Sequence, residues 1–260
     1  MNPFKQIYLY RKLIWATTLY DIKVKNAGSM LGQIWLILYP LLFLGMYAVV
    51  YLMIFKIRLQ IMSPYEYVLL IFCGLIPFLS FADAIGRGVT SVTSNANLIK
   101  NTLFPIEFIP INIVLSSQVI LIVGFSILSV ILFFMGRLGW FYWVGILLFF
   151  EQIIFTIGLV WILASLNVFF RDLGQIISVV ILMLMMISPI AYTEDMIPET
   201  LRTVLYFNPL YYLIMLYQKA FMFNTLDVKL FIVFTILSFG HFLIGYHVFV
   251  KLKGVFSDYV

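Results

Sequence analysis

A charge inside hydrocarbon is costly, so ionisable residues within long apolar runs are the first place to look for chemistry. Four stand in such runs here: Asp83, Glu151, His241 and His247. Asp83 has Arg87 four residues on, the spacing that puts two side chains on one helix face, and reads as a locally paired carboxylate at an interface. Glu151 falls about 16 Å along a helix from Trp140, in the aromatic cluster Trp140-Phe141-Tyr142-Trp143. If that cluster is an interfacial belt, Glu151 lies well inside a membrane, facing the bundle interior and hydrogen-bonding a neighbouring helix. A proton relay would need a second buried carboxylate or a mid-span histidine beside it, and none is evident. His241 and His247 point to different faces at 100° per residue, so no shared metal is expected.

Other catalytic groupings are missing. There is no nucleophile elbow, no usefully paired carboxylates and no Cys/His cluster for zinc, and the single cysteine, Cys73, excludes an intramolecular disulfide. A Gly-x-x-x-x-Gly-Lys-Ser/Thr run, whose amides would cradle nucleotide phosphates, is also absent. The chain is therefore expected to be no enzyme and to bind no cofactor. If ATP drives its work, the motor is another polypeptide.

The elements that must position these residues follow from composition. Of 260 residues 64% are hydrophobic and only 10% charged, with a mean hydropathy of +1.09. Soluble domains carry about 25% charged residues, so an all-α integral membrane protein is expected. Six spans are predicted, at about 34–55, 67–85, 109–135, 140–170, 174–192 and 230–250. No polar stretch is long enough for a soluble catalytic domain. The segment 201–223 is too briefly apolar to cross alone, and Asn208-Pro209 breaks it, so a pair of short re-entrant or interfacial helices is expected on the outer side.

Basic residues in short loops set the orientation. With a cytoplasmic N-terminus the inner side holds Lys5, Arg11, Lys12, Lys23, Lys25, Arg87, Lys100, Arg171, Lys251 and Lys253, the larger share of the 16 Lys and Arg. Both termini then lie inside. The net charge of +5 reads as basic loops near anionic headgroups rather than as a nucleic-acid surface. Residues 1–33 lack the short apolar core and cleavage site of a signal peptide. Within them Phe4, Ile7, Tyr8, Arg11, Lys12, Trp15, Leu19 and Lys23 recur at helical spacing, which predicts an amphipathic helix along the inner headgroup layer, ahead of a transmembrane domain over 34–260.

Two inner segments offer docking surface. Residues 95–110 mix polar caps with Leu98, Ile99 and Phe104 and carry Pro105 and Pro110, which fix the re-entry angle. Phe169-Phe170-Arg171-Asp172-Leu173 repeats the idea in one turn. Along span one, Trp35, Tyr39, Phe43 and Tyr47 are four apart and form a slowly turning aromatic stripe, on which sugar rings could stack. Packing or lipid-facing aromatics would look the same.

With these motifs the chain resembles the membrane subunits of ABC exporters for cell-surface polysaccharides, the O-antigen branch first, with teichoic-acid and capsule exporters as relatives. The resemblance spans nearly the whole length. It is carried by Gly28-Ser29-Met30-Leu31-Gly32-Gln33-Ile34-Trp35 with Tyr39-Pro40-Leu41, Asn95 to Asn101 with Phe104-Pro105, Phe170-Arg171-Asp172-Leu173, Ser188-Pro189-Ile190, Glu194-Asp195-Met196-Ile197-Pro198-Glu199 and Asn208-Pro209-Leu210.

The resemblance implies a homodimer with two ATPase subunits that carry the ATP and Mg, in the cytoplasmic (inner) membrane. It implies that Asn97, Leu98, Lys100, Phe104, Pro105, Glu107, Phe170, Arg171 and Asp172 receive the ATPase motion. Spans one and five would line a channel between protomers, with Trp35, Tyr39, Phe43 and Tyr47 as lining candidates. The cargo would be a glycan on an undecaprenyl-diphosphate carrier, and Arg11, Lys12, Lys23, Lys25 and Arg87 are candidates for the diphosphate. Alternatives are a related permease for a drug or lipid and, from another class, an integral-membrane transferase. The transferase would need clustered catalytic groups at one interface, which the sequence lacks.

Overall fold

The computed structural model describes residues 3–54, 63–97, 105–192 and 198–259, and among these every regular element is helical. The helices are α1 (Pro3–Leu9), α2 (Arg11–Lys25), α3 (Trp35–Ala48), α4 (Pro64–Gly88), α5 (Ser91–Ser94), α6 (Phe108–Phe134), α7 (Tyr142–Phe169), α8 (Leu173–Ile187), α9 (Glu199–Leu205), α10 (Pro209–Met222), α11 (Val228–Leu252) and α12 (Phe256–Tyr259). A 3-10 turn, Gly32–Ile34, leads into α3, and a π-helical stretch, Val49–Ile54, continues it.

Among the described residues five stretches are long and apolar enough to cross a membrane: Gly32–Ile54, α4, α6, α7 and Val228–Val255. They fall on five of the six predicted spans. The predicted span 174–192 is shorter in the structure. Helix α8 ends at Ile187, and its 15 residues rise about 22 Å, less than the ~30 Å of a hydrocarbon core. The cause is Pro189. The residue before a proline is driven out of the helical region, and Ser188 is extended at φ −72°, ψ 145°.

Helix α4 is the axle of the bundle, with 83% of its most apolar stretch buried, against 6% for the span containing α3. Its start is fixed by a reciprocal cap. The Ser63 hydroxyl accepts from the Glu66 amide, Glu66 Oε2 accepts from the Ser63 amide at 2.6 Å, and Pro64 opens the first turn.

Helices α7 and α11 make the tightest crossing, at two glycines. A Cβ built on Gly245 would lie 2.2 Å from the Gly158 carbonyl oxygen, so the two backbones touch. Trp161 packs on Phe242 and Tyr246 along this seam, at 5.2 and 5.6 Å between ring centroids. Glu151 is buried here and accepts a hydrogen bond from Thr235 of α11 at 2.8 Å. His241 Nδ1 meets the Leu237 carbonyl at 2.7 Å, while His247 is exposed.

Asn208 caps α10 by accepting from the Leu210 amide at 3.0 Å, with Pro209 next. Most of α10 is buried. Its Gln218 amide donates to the carbonyls of Pro189 (3.0 Å) and Ile190 (3.3 Å), the backbone that Pro189 frees from α8. The segment expected as a peripheral pair of short helices therefore packs one of them, α10, into the bundle.

Candidate functional site

Contacts gather both chain ends and the 170–172 turn at one end of the bundle. Tyr246 donates to Gln6 at 2.9 Å, Lys253 meets Glu107, and Arg171 donates to the Tyr259 carbonyl. We call this the terminal end. The opposite end holds the Arg137–Glu66 ion pair and the Lys219–Asp227 pair, at 2.8 Å in the latter.

At the terminal end a charge network ties α2 to α4 and α6. Lys25 Nζ lies 2.6 Å from Asp83 Oδ2, and Arg87 Nη2 lies 2.5 Å from Asp21 Oδ2. Arg87 also reaches Asp83, at 3.6 Å. Two α6 serines complete it. Ser117 donates to Asp83 at 2.6 Å, while Ser116 donates to Asp21 and accepts from Arg87 Nη1 at 3.2 Å. The four formal charges cancel.

The side of α2 that meets the bundle is thus polar. Ile14 and Thr18 are its buried residues, Thr18 donates to Asn112 at 3.3 Å, and Asp21 and Lys25 continue the same stripe. Trp15, Leu19 and Tyr20 face away. Apolar periodicity alone does not say which side of α2 meets the bundle, and the contacts show that it is the side carrying Thr18, Asp21 and Lys25. Apolar side chains gain nothing by leaving lipid, whereas hydrogen-bonding groups gain partners by docking.

The diphosphate candidates do not converge. Lys25 and Arg87 share the network, each already held by carboxylates. Arg11 lies at the far end of α2, about 21 Å away by helical rise, donating to the Tyr8 carbonyl and lying 4.3 Å over the Tyr8 ring. Lys12 and Lys23 are exposed, and neither makes an ion pair among the described residues.

Beside the network is a cavity of about 290 Å³ lined by Lys25, Asn26, Trp35, Leu36, Tyr39, Asp83 and Ile120. It joins two groups that the sequence treats separately, a diphosphate candidate and the first two channel candidates. From there the aromatic stripe runs along α3. Tyr39 and Phe43 pair at 4.9 Å, and Tyr47 stacks on Tyr51 at 5.8 Å. Each four-residue step advances about 40° around a helix, so the stripe turns inward and Tyr47 is buried against the bundle. Trp35 and Tyr39 remain exposed.

Of the predicted coupling residues, Leu98, Lys100 and Phe104 lie outside the described residues. Phe170 (67% exposed), Arg171 and Asp172 are displayed together on the turn between α7 and α8. Glu107 is the exception. Only 5% exposed, it is held by Lys253 Nζ at 3.2 Å from both carboxylate oxygens, so it presents no surface to a partner.

Asn97 and Pro105 flank the segment outside the described residues. The two inner segments are linked by Asn167, which neither motif flagged. Thr93 donates to Asn167 Oδ1 at 3.1 Å, and the Asn167 amide donates to the carbonyls of Phe170 (3.4 Å) and Arg171 (3.3 Å). A cleft of about 380 Å³ lies between the segments, lined by Thr90, Thr93, Ser94, Ala96, Asn167 and Arg171.

Asp21 was also missed by the sequence reading. The spacing 18, 21, 25 could have revealed it, since it sets Thr18, Asp21 and Lys25 in one polar stripe down a helix.

Residues 12–222 match the ABC-2 type transporter family. Two O-antigen export system permease proteins RfbA of Klebsiella pneumoniae are 34% and 33% identical over 253 and 254 residues, each alignment covering 96% of this chain and 95% of the relative. The RfbA permease of Myxococcus xanthus is 28% identical over 222 residues, covering 84% of this chain and 83% of its own.

Proposed function

This chain belongs to the ABC-2 type transporter membrane family, and from that premise we propose that it is the permease subunit of an ATP-driven exporter of O-antigen or a similar lipid-linked surface polysaccharide. The observation that carries the reading is the likeness to O-antigen export permeases, which takes in 96% of the chain. The likeness therefore extends over nearly the whole chain rather than one segment of it.

On this reading each part of the fold has a task. The terminal end is cytoplasmic, where most Lys and Arg lie, and the membrane is the inner membrane. Helix α8 with its extended continuation, Ser188 to Tyr192, completes a sixth crossing, and α9 and α10 dip into the membrane from the outer side. In the isolated chain α3 is buried only at Pro40 and Tyr47, and α8 only at Ile177. A second copy covering these two faces would make the passage between protomers, with Trp35 and Tyr39 at its inner mouth.

Sugar faces stack on such rings without tight binding, which suits a polymer that must slide. The carrier diphosphate meets Lys12 or Lys23 on α2, neither of which makes an ion pair among the described residues. At Lys25 or Arg87 a diphosphate has to displace Asp83 or Asp21.

A P-loop ATPase, in two copies, docks on Phe170, Arg171 and Asp172. Exchanging an aromatic anchor for a charge tests this directly. Phe170→Asp is expected to weaken ATPase binding roughly thirtyfold, the loss of one hot-spot contact of about 2 kcal/mol. Surface polysaccharide should fall with it while the permease still inserts. Co-purification with the ATPase and glycan staining measure the two effects. Undiminished binding and export would overturn the docking assignment.

A further inference from the structure

Chain ends normally fray unless something ties them down. Residues 253–259 are tied at four points, three of them on the inner segments. Lys253 Nζ grips both oxygens of buried Glu107 at 3.2 Å, where the first inner segment enters α6. Phe256 is fully buried, its ring 5.3 Å from Phe249 at the end of α11. Tyr259 packs its ring 5.0 Å from Phe169, edge to face, and its carbonyl accepts from Arg171 Nη2 at 3.3 Å. Behind these contacts the Trp161 indole donates to the Glu107 carbonyl at 3.1 Å and packs on Phe242, Tyr246 and Phe249 of α11.

We infer that residues 253–259 form a strap that locks the two inner segments to each other and to the last membrane helix, so that a push on the 170–172 turn is delivered to α6 and α11 together. The inference rests on the coupling role proposed above for that turn. The physical ground is that packed contacts shift between discrete arrangements rather than stretch. Among the described residues the side-chain hydrogen bond between the bases of the two segments runs from Thr93 to Asn167, a point about which they can hinge. A third body bonded to both removes the hinge. Lys253 and the strap touch no cargo and no nucleotide. They are positioning residues.

Two measurements test this. In the purified full chain in lipid nanodiscs, amide hydrogen exchange at 105–108 and 169–172 is expected to accelerate roughly tenfold in Lys253→Met and in a chain ending at Gly254. Tenfold is the scale of losing one charge-assisted hydrogen bond. Lys253→Arg, which keeps the charge and the donor, should retain protection. In cells with the cognate ATPase, Lys253→Met should lower the ratio of glycan exported to ATP hydrolysed at equal membrane abundance, and Lys253→Arg should restore it, a rescue that a purely volumetric role would not require.

If the truncated chain is poorly inserted, Lys253→Met decides alone. Unchanged exchange and an unchanged ratio in Lys253→Met overturn the strap. Phe170→Asp, run beside it, shows whether the coupling reading falls too: a defective Phe170→Asp leaves that reading standing and removes only the strap.

Discussion

Gly245→Ala is the sharpest stability test, because one methyl group meets backbone that cannot rotate away. Its Cβ would sit 2.2 Å from the Gly158 carbonyl oxygen and 2.9 Å from that residue's carbonyl carbon and Cα. Comfortable carbon-to-oxygen contacts are about 3.3–3.6 Å, so α7 and α11 must part by about 1 Å at the crossing. A gap of that size forfeits roughly a quarter to a half of each contact's attraction. The contacts at risk include Phe155 with Phe234 and His241, at 5.6 and 5.1 Å, and Trp161 with Phe242, at 5.2 Å. Overpacking by one methyl group costs about 1–3 kcal/mol even where side chains can adjust, and here they cannot. A loss of about 3 kcal/mol is expected.

Gly240→Ala, on the same helix, is the control. Nothing lies within 4 Å of its Cβ, and alanine is favoured over glycine in helices by up to about 1 kcal/mol. Equilibrium unfolding of the purified protein in mixed detergent–SDS micelles would place the two variants about 3–4 kcal/mol apart on these figures. Equal stabilities would refute the close-crossing argument.

Two further predictions concern charges. Asp83→Asn leaves Lys25 without its carboxylate, which should cost roughly 2–3 kcal/mol of α2 docking and raise amide exchange across Asp21 to Lys25. The double variant Asp83→Asn/Lys25→Met should recover part of that loss, since removing both partners leaves no stranded charge. At the opposite end Lys219 donates to Asp227, and the amides of Lys229 and Leu230 also bind it. The Lys219 hydrogen bond in particular holds the Asp227 carboxyl below the ordinary range. Its folded value is thus lower than its unfolded value of about 3.9. The stabilisation is complete above about pH 4 and is lost as pH falls through the lower folded value. Melting temperatures between pH 2.5 and 6 should show this acid limb in the parent and a weaker one in Asp227→Asn.

How much of this the sequence shows depends on the range of the force involved. Charge-free runs mark spans because every backbone group in lipid must be satisfied within the helix, a local requirement that five of six predicted segments display. Hydropathy looked through Pro189 and so overran α8, although Ser188-Pro189 was in view. The missed pieces are long-range. Asp21 and Asp83 are 62 positions apart in numbering and share Arg87; Glu107 and Lys253 are 146 positions apart. Nothing local distinguishes Glu107 from an exposed loop carboxylate. Only the return of α11 to the same end supplies the lysine that makes its burial tolerable.

The same reasoning explains which side of α2 docks on the bundle. In water, an amphipathic helix turns its apolar stripe to the protein because that stripe has nowhere else to go. At a membrane surface lipid accepts Trp15, Leu19 and Tyr20 as readily as a bundle would. What remains to specify docking is polar pairing. Thr18 meets Asn112, Asp21 meets Arg87 and Ser116, and Lys25 meets Asp83. Each of these groups would be poorly served by hydrocarbon, and each finds its partner on α4 or α6. In such a helix the scarcer polar stripe carries the information about neighbours, which hydrophobic periodicity alone does not supply.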